Sequence, residues 1–271
     1  MHKVSFIGGG NMAAAIIGGL IASGTQPTDI EVVDINADTR ARLAARFGVV
    51  THTDLSQARL HPLIVLAVKP QNLPEVASAL ASSLAGQLVV SIAAGVRVAD
   101  LARWLGGHDR IVRAMPNTPA LVQAGITGLF APTTVNHDGR SRAEAVMRAV
   151  GGVVWVESEP QLDAVTAVSG SGPAYVFYCI ESLEAAAVAQ GLAPATARQL
   201  AFQTFFGAAK LALESGEEPE MLRQRVTSKG GTTERGIAAL EAAKVKAAIG
   251  QAVEAASRRS AELGDELGRL A

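Results

Sequence analysis

The residues best suited to chemistry stand at the start of the chain. Val4-Ser5-Phe6-Ile7, a β-branched and aromatic run, passes directly into Gly8-Gly9-Gly10-Asn11-Met12-Ala13 and a helical pattern. Gly8, Gly10 and Ala13 fill the small positions of the G-x-G-x-x-G/A fingerprint. In that fingerprint the first small residue permits a tight turn, the second lets backbone approach a pyrophosphate, and the third lets helix and strand pack closely. A helix opening at Asn11 also aims unpaired N–H groups and the positive end of its dipole at such an anion. Ile7, Gly8, Gly9, Gly10, Asn11 and Met12 are therefore candidate dinucleotide contacts. Asp34 closes the second apolar run 21 residues after Ala13, against the roughly 20 that place an acidic residue on the ribose. A carboxylate there favours NAD and repels a 2′-phosphate, so Asp34 leans to NADH; Arg40 and Arg42 are the groups that would accommodate NADPH. The competing reading of Asp34 is a turn residue ahead of Asn36.

Three further strings carry unusual residue choices. Ala67-Val68-Lys69-Pro70 and Met115-Pro116-Asn117-Thr118-Pro119-Ala120 follow the ends of expected strands, where ligands bind in open α/β sheets. Thr166-Ala167-Val168-Ser169-Gly170-Ser171-Gly172-Pro173-Ala174-Tyr175 opens the first helix of the second half, and its N–H groups offer an anion site. Later, Val226-Thr227-Ser228-Lys229-Gly230-Gly231-Thr232-Thr233 leads into another helix. Glycines followed by two hydroxyls at a helix start suit a carboxylate, although a plain N-cap by Thr232 or Thr233 explains them as well.

Other chemistries are thinned out by what is missing. The five histidines, at positions 2, 52, 61, 108 and 137, form no metal-ligand spacing and none lies in the helical half beyond Pro160. G-x-S-x-G is absent, which argues against an α/β-hydrolase. Cys179, the single cysteine, removes any disulfide framework and most zinc sites. It lies on an apolar helical face with Tyr175, Val176 and Leu183 and is expected to be a core residue. No metal site is expected.

These groups need a scaffold, and the composition limits its kind. The chain has 271 residues with 24 Lys+Arg against 25 Asp+Glu, a balance with no general attraction to nucleic acid or membrane. With 49% hydrophobic and 18% charged residues it is no disordered chain. The apolar stretch behind Lys3 is broken by glycines, unlike a signal peptide, and no run nears the ~20 residues of a membrane span. A cytoplasmic location is expected.

Lys3–Ile7, Ile30–Asp34, Leu63–Val68, Leu88–Ile92, Arg110–Ala114 and Val153–Val156 read as strands. Helical spacing covers Asn11–Ser23, Ala37–Phe47, Leu73–Leu84, Val98–Leu105 and Ser141–Val150. Continuous apolar runs alternating with helices predict a doubly wound, mostly parallel sheet of the Rossmann type. Beyond Pro160 the spacing is helical throughout: Leu162–Gln190, Pro194–Ser215, Pro219–Val226, Thr232–Ala243 and Val245–Leu270. The expected domains are 1–160 for the dinucleotide and 161–271 as an all-α half, whose Ala-rich surfaces suit dimerisation.

Taken in order, these motifs make the chain resemble the pyrroline-5-carboxylate reductases over essentially its whole length. The resemblance rests on Gly8, Gly10, Met12 and Ala15, on the Val-Lys-Pro turn, the Met-Pro-Asn-Thr-Pro-Ala loop, the Ser-Gly-Ser-Gly-Pro-Ala-Tyr helix start and the Ser-x-Gly-Gly-Thr-Thr loop. Lys229 stands where the family loop commonly has proline, and Asp34-Ile35 where the family often carries a pair suited to NADP. The resemblance implies hydride transfer from NADPH or NADH to the C=N bond of L-1-pyrroline-5-carboxylate, giving L-proline, the last step of proline biosynthesis. It implies that Ala67, Val68, Lys69, Pro70, Ala93, Ala94, Gly95 and Asn117 line the ribose and nicotinamide. It also implies that the substrate carboxylate meets Ser171, Gly230, Gly231, Thr232 and Thr233, with the Thr233 hydroxyl near the ring nitrogen. An intertwined homodimer through the helical half, assembled into a higher homo-oligomer, completes the expectation. The rival readings are a related imine or 2-oxoacid reductase and a non-catalytic dinucleotide-binding module.

Overall fold

The structure is a computed structural model that describes residues 3–270. Among them, eight strands share one sheet: β1 (Val4–Ile7), β2 (Ile30–Val33), β3 (Val50–His52), β4 (Leu63–Leu66), β5 (Leu88–Ser91), β6 (Ile111–Met115), β7 (Gly125–Phe130) and β8 (Gly151–Trp155). Their order is β3-β2-β1-β4-β5-β6-β7-β8. Every neighbouring pair is parallel except β6 and β7. The doubly wound, mostly parallel α/β fold is as the sequence predicts.

The central strands read as mostly apolar runs because both of their faces are covered. Val4, Phe6, Val32, Leu63, Val65 and Val90 turn to one side, where α1 (Asn11–Ala22) and α5 (His137–Arg148) contribute Ile16, Ile17, Leu20, Val146 and Met147. Ile7, Val33, Ile64, Leu66 and Val89 turn to the other side and meet Leu73, Leu80, Leu101 and Trp104 of α3 (Leu73–Ala81) and α4 (Val98–Trp104). The helix α2 (Ala37–Phe47) begins where Asn36 Oδ1 accepts from Thr39 N–H at 2.8 Å and ends at Gly48 in the left-handed conformation.

Two strands go beyond the sequence reading. β3 has only three residues, and β7 carries Gly125 and Gly128, so neither presents an apolar run. Helix α5 starts at His137 rather than Ser141, because Asn136 Oδ1 accepts from Gly139 N–H at 2.9 Å.

The single long helix expected over Leu162–Gln190 is broken in three. It comprises α6 (Gln161–Val165), a π-helical turn (Thr166–Gly170) and α7 (Gly172–Ala189). Thr166 and Ser169 hydroxyls donate to the carbonyls four residues back, at 2.8 and 2.9 Å. Such back-bonding competes with the helical ladder, and Ser171 N–H reaches the Thr166 carbonyl instead, at 2.8 Å.

The chain forms two compact units, one running to Ser171 and resumed from Ala255, the other spanning Gly172–Glu254. The second holds α7, α8 (Pro194–Ser215), α9 (Pro219–Arg225), α10 (Thr232–Ala242) and the start of α11 (Val245–Gly268). Within it, Arg198 clasps Glu184 through two nitrogens, joining α8 to α7. This unit buries little of its apolar surface within one chain: Phe177, Phe202, Phe206 and Leu213 are all exposed. Cys179 is exposed as well. The expectation of a core cysteine fails because the apolar face of α7 that carries it is not covered by its own chain.

Candidate active site

Since β1, β2, β4, β5 and β6 run parallel, the loops that follow them all leave the same edge of the sheet. The strand order reverses between β1 and β4, and ligands of doubly wound sheets bind at that reversal. The loop after β1 is the Gly8–Gly10 turn. Gly8 has φ +98°, and a Cβ there would lie 2.7 Å from the Ala67 carbonyl oxygen at the end of β4. Only glycine lets the two strands approach so closely. Gly10 is the opposite case, for a Cβ there would meet nothing within 4 Å. Gly10 is also the N-cap of α1 and makes no side-chain capping bond. The helix therefore presents Asn11 and Met12 N–H groups, uncapped, to an open and exposed space, an arrangement that fits a phosphate. Ala13 is fully buried against the sheet and Ile7 lies in the core, so Ile7 faces the turn with backbone only.

Asp34 lies beside this turn. Its Oδ2 accepts from Gly9 N–H at 2.7 Å and its Oδ1 from Asn36 N–H at 2.8 Å, while Arg40 Nη1 donates to its backbone carbonyl at 2.7 Å. The turn reading of Asp34 holds, and the Asx turn to Asn36 fixes the carboxylate against the glycine turn. Ile35, the next residue, is 87% exposed.

The remaining loops of this edge are built from short supports. Ala67 N–H bonds the Ile7 carbonyl at 2.8 Å, and Lys69 and Pro70 follow in a tight turn closed by Asn72 N–H to the Lys69 carbonyl at 3.0 Å. After β5, Ala93 is buried and Ala94 half-buried, while Gly95, at φ +79°, lies against Leu267 and Gly264 of α11. After β6, Asn117 is 8% exposed and bonded at both ends of its amide. Its Nδ2 donates to the Ser169 carbonyl at 3.0 Å and its Oδ1 accepts from Ile126 N–H at 2.9 Å. That side chain braces the π-helical turn against β7 and keeps one amide hydrogen uncommitted.

In the helical unit, the structure narrows the anion site expected around Gly230–Thr233. Gly230 N–H is taken by Glu234 Oε2 at 2.8 Å and Gly231 N–H by the Ser228 carbonyl at 3.0 Å. Gly231 is the N-cap of α10 and no side chain caps it. Thr232 and Thr233 are the first helical residues, so the reading of either as the N-cap fails and both hydroxyls stay exposed. The open donors are the N–H groups of Thr232 and Thr233. Ser171, in the first unit, has spent its N–H on Thr166 and offers its hydroxyl. Among the described residues no three His, Cys, Asp or Glu side chains gather as a metal site, and no helix is long and apolar enough to cross a membrane.

Comparison with known proteins adds the decisive observation. The chain is 45% identical over 269 residues to a pyrroline-5-carboxylate reductase of Pseudomonas aeruginosa, covering 98% of each. The chain belongs to the pyrroline-5-carboxylate reductase family. The family model for pyrroline-5-carboxylate reductase dimerisation matches residues 159–263, and one described as NADP oxidoreductase, coenzyme F420-dependent, matches residues 3–95. A solved pyrroline-5-carboxylate reductase from Coxiella burnetii superposes with a TM-score of 0.93 at 46% identity, covering 97% of this chain and 98% of that one. The Plasmodium falciparum enzyme, solved with NADP bound, does so with 0.85 at 29% identity and the same coverage.

One pair in this family member escaped the sequence reading. Arg113, in the middle of β6 and 5% exposed, meets Glu159 at 3.1 Å. A lone arginine in the run Ile111-Val112-Arg113-Ala114-Met115 is itself a signal, because a buried cation requires an anion. The sequence does not say which of its 25 acidic residues supplies it.

Proposed function

We propose that this protein reduces L-1-pyrroline-5-carboxylate to L-proline with NADH or NADPH, the last step of proline biosynthesis. The match to the family along the whole chain carries the reading, and the open, uncapped turn from Gly8 to Met12 supports its cofactor half. Residues 1–160 serve the dinucleotide and 161–271 the substrate and dimerisation. The N–H groups of Asn11 and Met12 take the pyrophosphate, with Gly8, Gly9 and Gly10 keeping the approach clear, and Asp34 takes the adenine ribose. Its negative charge favours NADH over NADPH. Ala67, Val68, Lys69, Pro70, Ala93, Ala94 and Gly95 wall the nicotinamide ribose. Asn117 braces this edge through Ser169 and Ile126 and lines the nicotinamide side with them.

A bound reduced nicotinamide supplies the hydride. The chain's own residues hold and orient the other reactant. Thr232 and Thr233 N–H groups, at the positive end of α10, hold the substrate carboxylate, and Ser171 adds a hydroxyl. The Thr233 hydroxyl orients the ring nitrogen; at an ordinary hydroxyl pKa it relays a proton and is no strong acid. A cyclic imine nitrogen is basic enough to arrive protonated, so its carbon accepts hydride without the buried acid that a ketone needs. Positioning and exclusion of water are then the protein's main contribution.

The helical unit joins two copies into a homodimer, from which larger assemblies are built. Its exposed Phe177, Phe202, Phe206 and Leu213 support this, since apolar surface of that extent marks an interface. The test of the activity is the loss of NADH absorbance, and separately NADPH absorbance, when pyrroline-5-carboxylate is added, with proline identified as product. Cofactor binding without oxidation of either would overturn the reading. Oxidation with a different imine or a 2-oxoacid, and none with pyrroline-5-carboxylate, would favour the related reductase.

A further inference from the structure

We propose that Glu159 is a positioning residue for the cofactor, acting by fixing where the β5–α4 loop ends. The inference rests on the reading that Ala93–Gly95 in that loop wall the nicotinamide ribose.

Helix α4 has no cap of its own, for Arg97 stands at the N-cap and makes no side-chain capping bond. Its first N–H, that of Val98, is instead accepted at 2.7 Å by Glu159 Oε1, from a residue 61 positions away. A carboxylate at that end also complements the helix dipole. The same oxygen accepts from Arg113 Nη1 at 3.1 Å. The side chain of Arg113 is 6% exposed, so its charge cannot be left to water and holds Glu159 in place. One atom therefore ties together β6, which leads into Met115–Asn117, and the exit of the β5–α4 loop.

The rest of the loop is fastened just as closely. Ile92 N–H bonds the Leu66 carbonyl at 3.1 Å, Gly95 lies against Leu267, and Arg97 pairs with Asp265 at 2.7 Å. Of these supports, Glu159 is the one whose charge is fixed by a second loop-bearing strand. An Asp or Ser at position 97 would cap α4 locally; the long-range carboxylate found here links two loops of the ligand edge instead.

The test uses the full-length protein and reads NADH and NADPH dissociation constants by nicotinamide fluorescence, together with kcat, KM and thermal unfolding. Glu159→Gln keeps an oxygen where both donors converge, and its cofactor Kd should stay within about threefold of the parent. Glu159→Ala removes the anchor and should raise cofactor Kd about tenfold or more, with KM for the imine within about twofold. Because Glu159→Ala strands Arg113 without a partner, Val98→Pro is the second variant. Proline is favoured at the first helical position and Arg97, at φ −81° and ψ 153°, already has the backbone that precedes proline. Val98→Pro deletes the N–H that Glu159 holds, leaves the pair with Arg113 intact, and should raise cofactor Kd about fivefold, whereas Val98→Ala, which trims the same packed side chain but keeps the N–H, should bind cofactor like the parent.

A Val98→Pro protein that folds with unchanged cofactor Kd overturns the proposal, whatever becomes of Glu159→Ala. So does a Glu159→Ala protein that unfolds at lower temperature yet binds cofactor like the parent, which would leave Glu159 a merely structural partner of Arg113. Parent protein that binds cofactor but does not reduce pyrroline-5-carboxylate would overturn the activity alone, since the binding constants still decide the role of Glu159.

Discussion

Gly8 and Gly10 lie two residues apart in one turn, and alanine at each should fail in a different assay. At Gly8 the added Cβ falls 2.7 Å from the Ala67 carbonyl oxygen and 2.8 Å from its carbon, on a residue with φ +98°. Left-handed backbone costs an L side chain roughly 1–2 kcal/mol, and overlap with main chain that cannot move aside adds roughly 1–3 kcal/mol. At about 2–4 °C per kcal/mol for a chain of this size, Gly8→Ala should lower Tm by roughly 4–20 °C. At Gly10 the backbone has φ −64° and ψ −176°, which any residue adopts, and no atom lies within 4 Å of a Cβ. Alanine is a poorer N-cap than glycine, by about 0.5–1 kcal/mol, but a stiffer unfolded chain returns about 0.4–1 kcal/mol. Gly10→Ala should therefore unfold within about 3 °C of the parent. Its methyl group nevertheless fills the space given to the pyrophosphate, and cofactor Kd should rise about tenfold to a hundredfold, a loss of roughly 1.4–2.8 kcal/mol. Thermal unfolding without ligand and titration of NADH and NADPH separate the two effects. Parent-like cofactor affinity in Gly10→Ala would refute the placement of the phosphates, and a parent-like Tm in Gly8→Ala would refute the close approach of β1 and β4.

Thr233→Ala should lose more than about tenfold in kcat/KM, about 1.4 kcal/mol, with cofactor binding kept; unchanged kinetics would remove Thr233 from the reaction. Asp34→Ser should raise the NADPH-to-NADH ratio of kcat/KM about tenfold. It should also cost about 1–2 kcal/mol of stability, because one oxygen cannot serve both Gly9 and Asn36 N–H groups; a ratio that stays put would make Asp34 a turn residue only. Burial holds the His61 imidazole below its usual pKa, with the carboxylate of Glu31 pulling the other way and Arg59 and Lys3 adding to the lowering. His52 shares that carboxylate, at 3.1 Å, and Asp29 adds a weaker raising effect. A histidine whose folded pKa is depressed contributes stability in full above the unfolded value of about 6.5. As pH falls below it, the unfolded state takes the proton first, so stability should drop by at most about 1.4 kcal/mol per pH unit. His61→Gln should flatten that part of the denaturation midpoint against pH, and an unaltered slope would exclude His61 as its source.

Much of the nucleotide half is legible because its physics is local. β1, β2, β4 and β5 are buried on both faces and are apolar at nearly every position, Ser5, Glu31 and Ser91 being the buried exceptions. Helix α8 begins and ends where expected because Pro194 sets its first turn and Gly216 closes it at φ 64°. What stayed hidden depends on partners distant in sequence. β3 and β7 are strands because neighbours pair with them, and the Thr166–Gly170 turn departs from a plain helix under two hydroxyls and the amide of Asn117. Which loop groups are open to a ligand was equally out of reach. Gly230, Gly231, Ser171 and Asn117 were all marked by their motifs; the chain itself takes the N–H groups of the first three and one N–H of the Asn117 amide. The exposure of Cys179 follows from a face that a single chain leaves bare.

The Val245–Gly268 helix begins in one compact unit and finishes in the other. There Leu267 enters the core, 6% exposed, and Ser260 donates to Asp163 at 2.7 Å. The nucleotide-binding unit is consequently incomplete when Ser171 leaves the ribosome, and it waits for a segment that follows some eighty residues later. At roughly 5–20 residues per second that delay is several seconds, long enough for the strands to pair while the outer side of Gly95 is still uncovered. A fragment cut at the apparent junction would carry the glycine turn and every strand, yet lack the helix that seals the β5–α4 loop. Losing the helix end would be felt in that loop, far in sequence from the Gly8–Gly10 turn.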